Sequence, residues 1–323
     1  MPTPPLLALL SHHSPVSGPE LARRLGVSRA AVWKQIEALR AAGVSIEANA
    51  GHGYRLSRAI EPLDTAAIRR ALRSETRKRL GALETHWQLD STSSELARRA
   101  AQLHDRSFIF AETQTAGRGR RGRVWASPPA GNLYFSCLKK FEHGYAALSG
   151  LSLAAGVAVL RALEDAGVRG VQLKWPNDLI AGEAKLAGIL IELGGEFLGP
   201  CHAVIGIGLN VHLPAAARTA ISQPAIDLAT LCGDATPKRN ALAAALIGRL
   251  CEALDAFAVR GFAAFAGEYA RHDGLFGQAL CIDDPRGRFE GVGNGVDARG
   301  ALRVRTREGE RLIDSAEVSI RRA

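Results

Sequence analysis

The stretch VQLKWPNDLIAGEAKLAGILIEL, residues 171–193, alternates apolar runs with two sharp reversals. Pro176-Asn177-Asp178 is turn chemistry and Gly182-Glu183 marks a tighter turn, so the stretch reads as strand, turn, strand, tight turn, strand. Apolar residues predominate in these runs, so a larger sheet has to cover them. The flanks supply it: CHAVIGIGLNVHL (201–213), NLYFSCLK (132–139) and SFIFAETQ (107–114) read as buried strands. ETHWQLDSTSSELARRAAQ (84–102) reads as a strand entering a helix, and Leu148 to Ala166 as a long helix with an Ala/Gly/Leu face. This is a mixed α/β domain.

The 323-residue chain has room for two or three domains, and 47% hydrophobic with 23% charged residues matches ordinary globular proteins. A net charge of +9 favours polyanions or nucleotides as partners, although heavy Arg and Ala usage weakens that inference. The five cysteines are scattered without a C-x-x-C pair, which predicts free thiols in a reducing compartment. LLALL (6–10) is too short for a membrane span and lacks the basic flank of a signal peptide, so a cytoplasmic protein without membrane contact is expected.

Upstream, Pro19 to Leu25 reads as a short helix stopped by Gly26, and Ser28 caps a second helix to about Ala41. Val32, Ile36 and Leu39 share the core face, which leaves Ser28, Arg29, Trp33 and Lys34 outward. Alternation in VSIEA, the turn NAGHG and YRLS then make a hairpin carrying His52 and Arg55. Helix, turn, capped helix and wing in this order favour DNA binding over a helical hairpin for protein contacts. Glu20, Glu37 and Glu47 dilute the basic face, so affinity calls for a dimer. RAIEPLD (58–64) reads as a linker, after which Asp64 caps another helix.

Four short motifs sit at the ends of the central elements. DSTSSE (90–95) offers a Thr92–Glu95 capping box, or hydroxyls from Ser91, Thr92 and Ser93 for a polar ligand. QTAGRGRRGRVW (114–125) puts four arginines among three glycines between strands; a flap over a phosphorylated compound and an RNA contact both remain open. Charge-assisted bonds of this kind contribute about 1.5–3 kcal/mol each. KWPNDL (174–179) is either a plain turn or a turn presenting Lys174, Asn177 and Asp178 to a nucleotide. EAKLAGIL (183–190) holds Lys185 after a turn and Gly188 within a strand, where a missing side chain admits close approach.

Taken in order, DST, GRGRRGR, KWPND, KLAGIL and GIGLN behind a winged helix resemble the biotin protein ligases, in the long form that also represses the biotin operon. The resemblance runs along nearly the whole chain. It implies an α+β multidomain protein: a winged helix-turn-helix (1–64), a central mixed α/β catalytic domain resembling class II aminoacyl-tRNA synthetases (65–271), and an SH3-like small β barrel (272–323). It implies that biotin and ATP, with Mg2+, give biotinyl-5′-AMP, and that biotin then passes to a lysine of a biotin carboxyl carrier protein. Ser91, Thr92, Ser93, Gln114, Arg118, Gly119, Arg120, Lys185 and Gly188 are then the biotin-binding residues. Arg123, Trp125, Lys174, Asn177, Lys185 and Asn210 are nucleotide-binding, while Lys185, Arg120 and Asp178 are catalytic. No resident metal site is implied. Ser28, Arg29, Trp33, Lys34, His52 and Arg55 meet operator DNA, with biotinyl-5′-AMP as corepressor promoting a homodimer. Beyond DST the serines depart from a more polar continuation in some relatives, without touching the pocket's logic.

Two other readings stand beside this one. A lipoate ligase shares the catalytic core, but the intact arginine loop and winged helix argue against it. A sensor without enzymatic activity conflicts with the presence of Lys185 and the full loop. The run from His272, with strands QALCID, RFEGVGNGVD, ALRVRTREGE and RLIDSAEVSI, reads as the small β barrel.

Overall fold

The computed structural model describes residues 3–49, 51–284, 287–314 and 319–322. The N-terminal unit contains helices Pro5–Leu9, Gly18–Leu25 and Arg29–Ala41 and the hairpin β1 (Ile46–Asn49) and β2 (Gly53–Leu56). Ser17 accepts from Glu20 N–H and Ser28 from Ala31 N–H, so each helix begins where a hydroxyl meets its orphan amides. Gly26 ends the first of the two at φ 65°, a left-handed conformation that favours glycine. Val32, Ile36 and Leu39 pack with Leu6, Leu21 and Ile46, as their spacing predicts. Val16 pairs with Tyr54 at the hairpin edge. Ala50, in the predicted wing turn, lies outside the described residues.

The central sheet has seven strands: β3 (Leu83–Leu89), β4 (Ser107–Gln114), β5 (Leu133–Phe141), β6 (Gln172–Lys174), β7 (Asp178–Ala181), β8 (Ala184–Gly195) and β9 (Cys201–Leu209). Their order is β3-β4-β5-β9-β8-β7-β6, with β3 parallel to β4 and the other pairs antiparallel. The 171–193 stretch forms the β6–β8 edge. Helices Leu151–Asp165 and Arg239–Arg260 pack together and cover one face. The second was not read from the sequence; Leu242, Leu246, Leu250, Leu254 and Phe257 bury its core stripe. Helix Thr92–Arg99 lies on the other face, where Leu96 joins Ile109, Leu138 and Val204. On β9, Ala203, Ile205, Ile207 and Leu209 face the large core, so alternation turns Gly206 and Gly208 to the opposite face.

The C-terminal strands β10 (Ala279–Asp284), β11 (Gly287–Val296), β12 (Leu302–Thr306), β13 (Gly309–Ile313) and β14 (Ser319–Arg322) form an antiparallel sheet ordered β13-β12-β11-β10-β14. Residues 315–318 of the predicted RLIDSAEVSI strand lie outside the described residues. This sheet docks on the central domain beside the KWPND turn: Trp175 Nε1–H donates to Gly300 O at 2.9 Å and Ser149 Oγ to Arg299 O at 2.8 Å. Among the described residues no helix is long and apolar enough to cross a membrane.

A charged cluster fixes helix Thr92–Arg99 to β3. Arg99 donates twice to Glu84, at 2.7 and 2.9 Å, and also meets Glu95. Those bonds from Arg99, aided by His86 and opposed by burial, hold the Glu84 carboxyl down at about 2 against an ordinary 4.5. A depressed acid stabilises the fold above its unfolded pKa, and the contribution disappears as pH falls through the folded one. Denaturant unfolding is therefore expected to show stability falling from near pH 4.5 towards 2, and Glu84→Gln should flatten that slope. An unchanged slope in the variant would remove Glu84 from the account.

Candidate active site

Gly188 on β8 pairs with Gly208 on β9, and Gly206 lies between Leu190 and Ser136 in the register. The sheet thus has a floor almost bare of side chains. The Trp125 ring rests on it: a Cβ at Gly208 would lie 2.3 Å from the ring, and one at Gly188 2.9 Å. Lys185 Nζ stands 5.4 Å from the same ring's centroid. Above this floor opens a cleft of about 1070 Å³, a volume suited to one or two small-molecule ligands.

One wall is rich in hydroxyls. Thr92 Oγ1 and Ser93 Oγ each lie within hydrogen-bond distance of Ser136 Oγ, at 2.8 and 2.9 Å. Gln114 Oε1 accepts from Thr92 N–H at 2.9 Å, and its Nε2 donates to Ser127 Oγ at 3.1 Å. The predicted Thr92–Glu95 capping box does not form. Ser91 caps the helix instead, accepting from Ser94 N–H, and Glu95 pairs with Arg98 and Arg99. The cap sits one residue early, which leaves the Thr92 hydroxyl to the cleft wall.

The opposite end gathers Lys174, Asn177, Asp178, Lys185 and Asn210, closed by residues 220–225. Asp178 pairs with Gly188 across β7 and β8, and its Oδ1 lies 2.7 Å from Lys185 Nζ. Asn177 is locked by two bonds to the backbone of Ile189, at 2.6 and 2.9 Å. Asn210 Nδ2 donates to Ile226 O at 3.1 Å, and Lys185 N–H to Pro224 O at 2.9 Å, which pins the 220–226 segment to the start of β8.

The arginine loop crosses the opening. Arg118 reaches Glu192 on β8 at 2.8 Å, and Arg120 Nη1 donates to Asn177 Oδ1 at 3.3 Å. Burial lowers the Arg120 pKa from its ordinary value, with the Asp178 charge opposing; a guanidinium remains cationic under such pressure. The loop's glycines serve different ends. Gly122 takes φ 70°, next to Arg121 at φ 58°, whereas a Cβ at Gly117 would strike Trp125 O at 2.6 Å.

Every ligand-site residue singled out above lines this one cleft, Arg123 and Gly119 included. Gly206, Gly208, Ser136 and the 220–225 wall were missed. A period-two reading of GIGLN would have found both glycines; the wall has no sequence signal. Ser28, Arg29, Trp33, Lys34, His52 and Arg55 lie apart, on the N-terminal unit. Arg29 and Lys34 are exposed and Trp33 is 55% exposed on the second helix. Arg55 is held by Glu47 across the hairpin, its Nε at 3.2 Å, and Glu20 is clasped by Arg23 and Arg24. Arg55 on the hairpin is therefore neutralised locally by Glu47, as Arg23 and Arg24 are by Glu20 on the first helix.

The biotin/lipoate A/B protein ligase family model matches residues 87–210, and a helix-turn-helix domain model matches 6–55. The bifunctional ligase/repressor BirA of Salmonella typhimurium is 37% identical, over 92% of this chain and 90% of its own. The Bacillus subtilis protein of the same name is 31% identical over 94% of each. Among solved structures, a biotin protein ligase from Aquifex aeolicus in complex with biotin and ATP superposes with a TM-score of 0.64 at 29% identity. That match covers 75% of this chain and 99% of the other.

Because Trp125 occupies the space beside Gly208, Gly208→Ala is expected to displace the indole. Overpacking of this kind costs about 1–3 kcal/mol, so a drop of that size in denaturant unfolding should accompany a change in tryptophan emission. Native stability and emission in the variant would mean that the ring does not rest on this floor.

Proposed function

The chain belongs to the biotin protein ligases of the bifunctional ligase/repressor kind, and from that premise we propose how its residues divide the work. The protein is an ATP-dependent biotin protein ligase with a helix-turn-helix repressor unit. The observation that carries the assignment of roles is the Lys185–Asp178 pair, 2.7 Å apart beside Gly188 and beneath the arginine loop. The hydroxyl wall of Ser91, Thr92, Ser93 and Gln114 receives biotin's polar ureido head, whose burial without hydrogen bonds would be costly. Backbone from Arg118 to Arg120 completes that end. Gly188 lets the ligand lie on the sheet.

In the first step a biotin carboxylate oxygen attacks the α-phosphorus of ATP, and pyrophosphate leaves. Two anions must meet, and Lys185 offsets charge on both and on the developing five-coordinate phosphorus. Arg120 retains the biotinyl-5′-AMP so formed. Arg123, Lys174, Asn177 and Asn210 face the nucleotide phosphates, and Trp125 covers the adenine region. In the second step the ε-amine of the carrier lysine attacks the acyl carbon, AMP leaves, and Asp178 takes the amine proton. The closed loop keeps water from the mixed anhydride.

Among the described residues no group of three or more His, Cys, Asp or Glu side chains could hold a metal. The residues fit Mg2+ carried in on the triphosphate, since that ion takes one or two carboxylates with phosphate oxygens and water. Asp178 with the amide oxygens of Asn177 and Asn210 would hold it, and it would neutralise phosphate charge.

In the same reading the chain divides at 1–64, 65–271 and 272–323, with a synthetase-like core and an SH3-like end that supports the carrier. Biotinyl-5′-AMP acts as corepressor by favouring a dimer that spans two operator half-sites.

Labelled biotin should pass to a carrier domain only with ATP and magnesium, and Lys185→Ala should cut transfer by about 10²–10³, the cost of losing one preorganised transition-state contact. Tight biotin binding without transfer would leave a sensor, and no biotin binding would sink the substrate assignment. Arg29→Ala with Lys34→Ala should weaken operator binding and reduce the salt slope by about 0.9 per lost phosphate contact. Ligation should persist in that variant; full operator affinity there would contradict the assigned surface.

A further inference from the structure

Residues 58–64, between the winged-helix unit and the ligase core, are bound at every turn. Leu63 N–H donates to Glu112 Oε1 at 2.6 Å, and Arg239 Nη1 donates to Glu61 O at 2.8 Å. Arg239 N–H and Asn240 Nδ2 donate to the two carboxylate oxygens of Glu61 at 2.5 and 3.0 Å. Asp64 N–H donates to Asn240 Oδ1 at 2.9 Å. At the centre, Arg239 Nη2 meets Glu112 Oε2 at 2.6 Å and Asn132 O at 2.8 Å, with Glu112 1% and Arg239 3% exposed.

This node touches the cleft's supports on one side and the DNA-binding unit on the other. Glu112 stands two residues before Gln114 on β4. Ser127 accepts from Gln114 Nε2 at its hydroxyl and from Thr113 Oγ1 at its carbonyl, the latter at 2.7 Å. From Ser127 the chain runs to Pro129, which lies against the Gly43 turn, and to Ala130, which is buried in the N-terminal core. Ala130 O accepts from Arg58 Nη2 at 2.8 Å. Asn132 follows, and its carbonyl returns to Arg239.

We propose that Glu61, Glu112 and Arg239 form a clamp that couples occupancy of the cleft to the seating of the DNA-binding unit. They are positioning residues that touch neither ligand nor DNA, and the proposal rests on the ligase/repressor reading. A buried pair is held because breaking it strands a charge out of water. Close packing then ties the end of β4, where Gln114 supports the hydroxyl wall, to the linker at Leu63 and Glu61. A ligand that favours one arrangement of Gln114 and Ser127 thereby favours one seating of the unit, by its difference in affinity for the two.

The test uses the full-length protein and a DNA duplex selected from a random pool by the native protein with biotin and ATP present. Native DNA affinity should rise roughly 5- to 150-fold on adding biotin and ATP, the span of ordinary coupling between sites. Glu61→Gln and Glu112→Gln should each reduce that ratio to about a third or less, while biotin transfer stays within about twofold of native. Glu61→Gln leaves the buried Glu112–Arg239 pair intact and covers the case in which the Glu112 variant does not fold. A native-sized ratio in Glu61→Gln and in a folded Glu112→Gln overturns the clamp, even if both affinities fall together through general loosening. Native DNA binding that ignores biotin and ATP overturns the repressor reading, and the clamp with it; a responsive native protein with equally responsive variants overturns the clamp alone.

Discussion

The cleft depends on one face of the central sheet being left almost without side chains. Gly188 and Gly208 pair across β8 and β9 with Gly206 two residues away on the same face, and an added Cβ would fall 2.9 Å from Trp125 at Gly188, 2.3 Å from Trp125 at Gly208 and 2.4 Å from Ser93 at Gly206. The opposite face of the same strands carries Ile205, Ile207 and Leu209 into the large core under the two long helices. Rigidity on one side and vacancy on the other let the sheet act as a platform, with functional groups brought to its rim by turns and a helix start.

Charge gathers around the rim of that platform. Lys185 stands beside the floor, its Nζ 3.1 Å from where a Cβ on Gly188 would lie, and is already paired with Asp178, so neither charge stands alone in a partly buried site. Arg118 ties the loop to Glu192 by an exposed ion pair, the kind of contact worth at most about 1 kcal/mol. The linker is held quite differently, by a buried ion pair and a set of short bonds that fasten it to the ligase core.

Much of this was legible from the residues. Breakers and caps marked the winged helix because Gly26 and Ser28 act locally, Gly26 through a left-handed turn whose N–H meets the last carbonyls and Ser28 on the amide three residues on. The 171–193 meander was legible from Pro176-Asn177-Asp178 and the alternation around it. The capping box failed by one residue because Ser91 and Thr92 are both good caps, and only the fold shows that Thr92 has partners in Ser136 and Gln114. Helix Arg239–Arg260 escaped notice because Ala243, Ala244 and Ala253 are buried beside its leucines, which blurs the polar face a period count relies on. Glu112 and Arg239 lie 127 residues apart, and no local pattern joins them.

The proposed chemistry requires this cleft to activate biotin as an acyl-adenylate before any carrier arrives. The most direct measurement is exchange of labelled pyrophosphate into ATP by the purified protein with magnesium and no carrier present. Exchange should appear only when biotin is added, because the first step is reversible within the closed cleft. Exchange that ignores biotin, or none at all in a protein that binds both ligands, would contradict it.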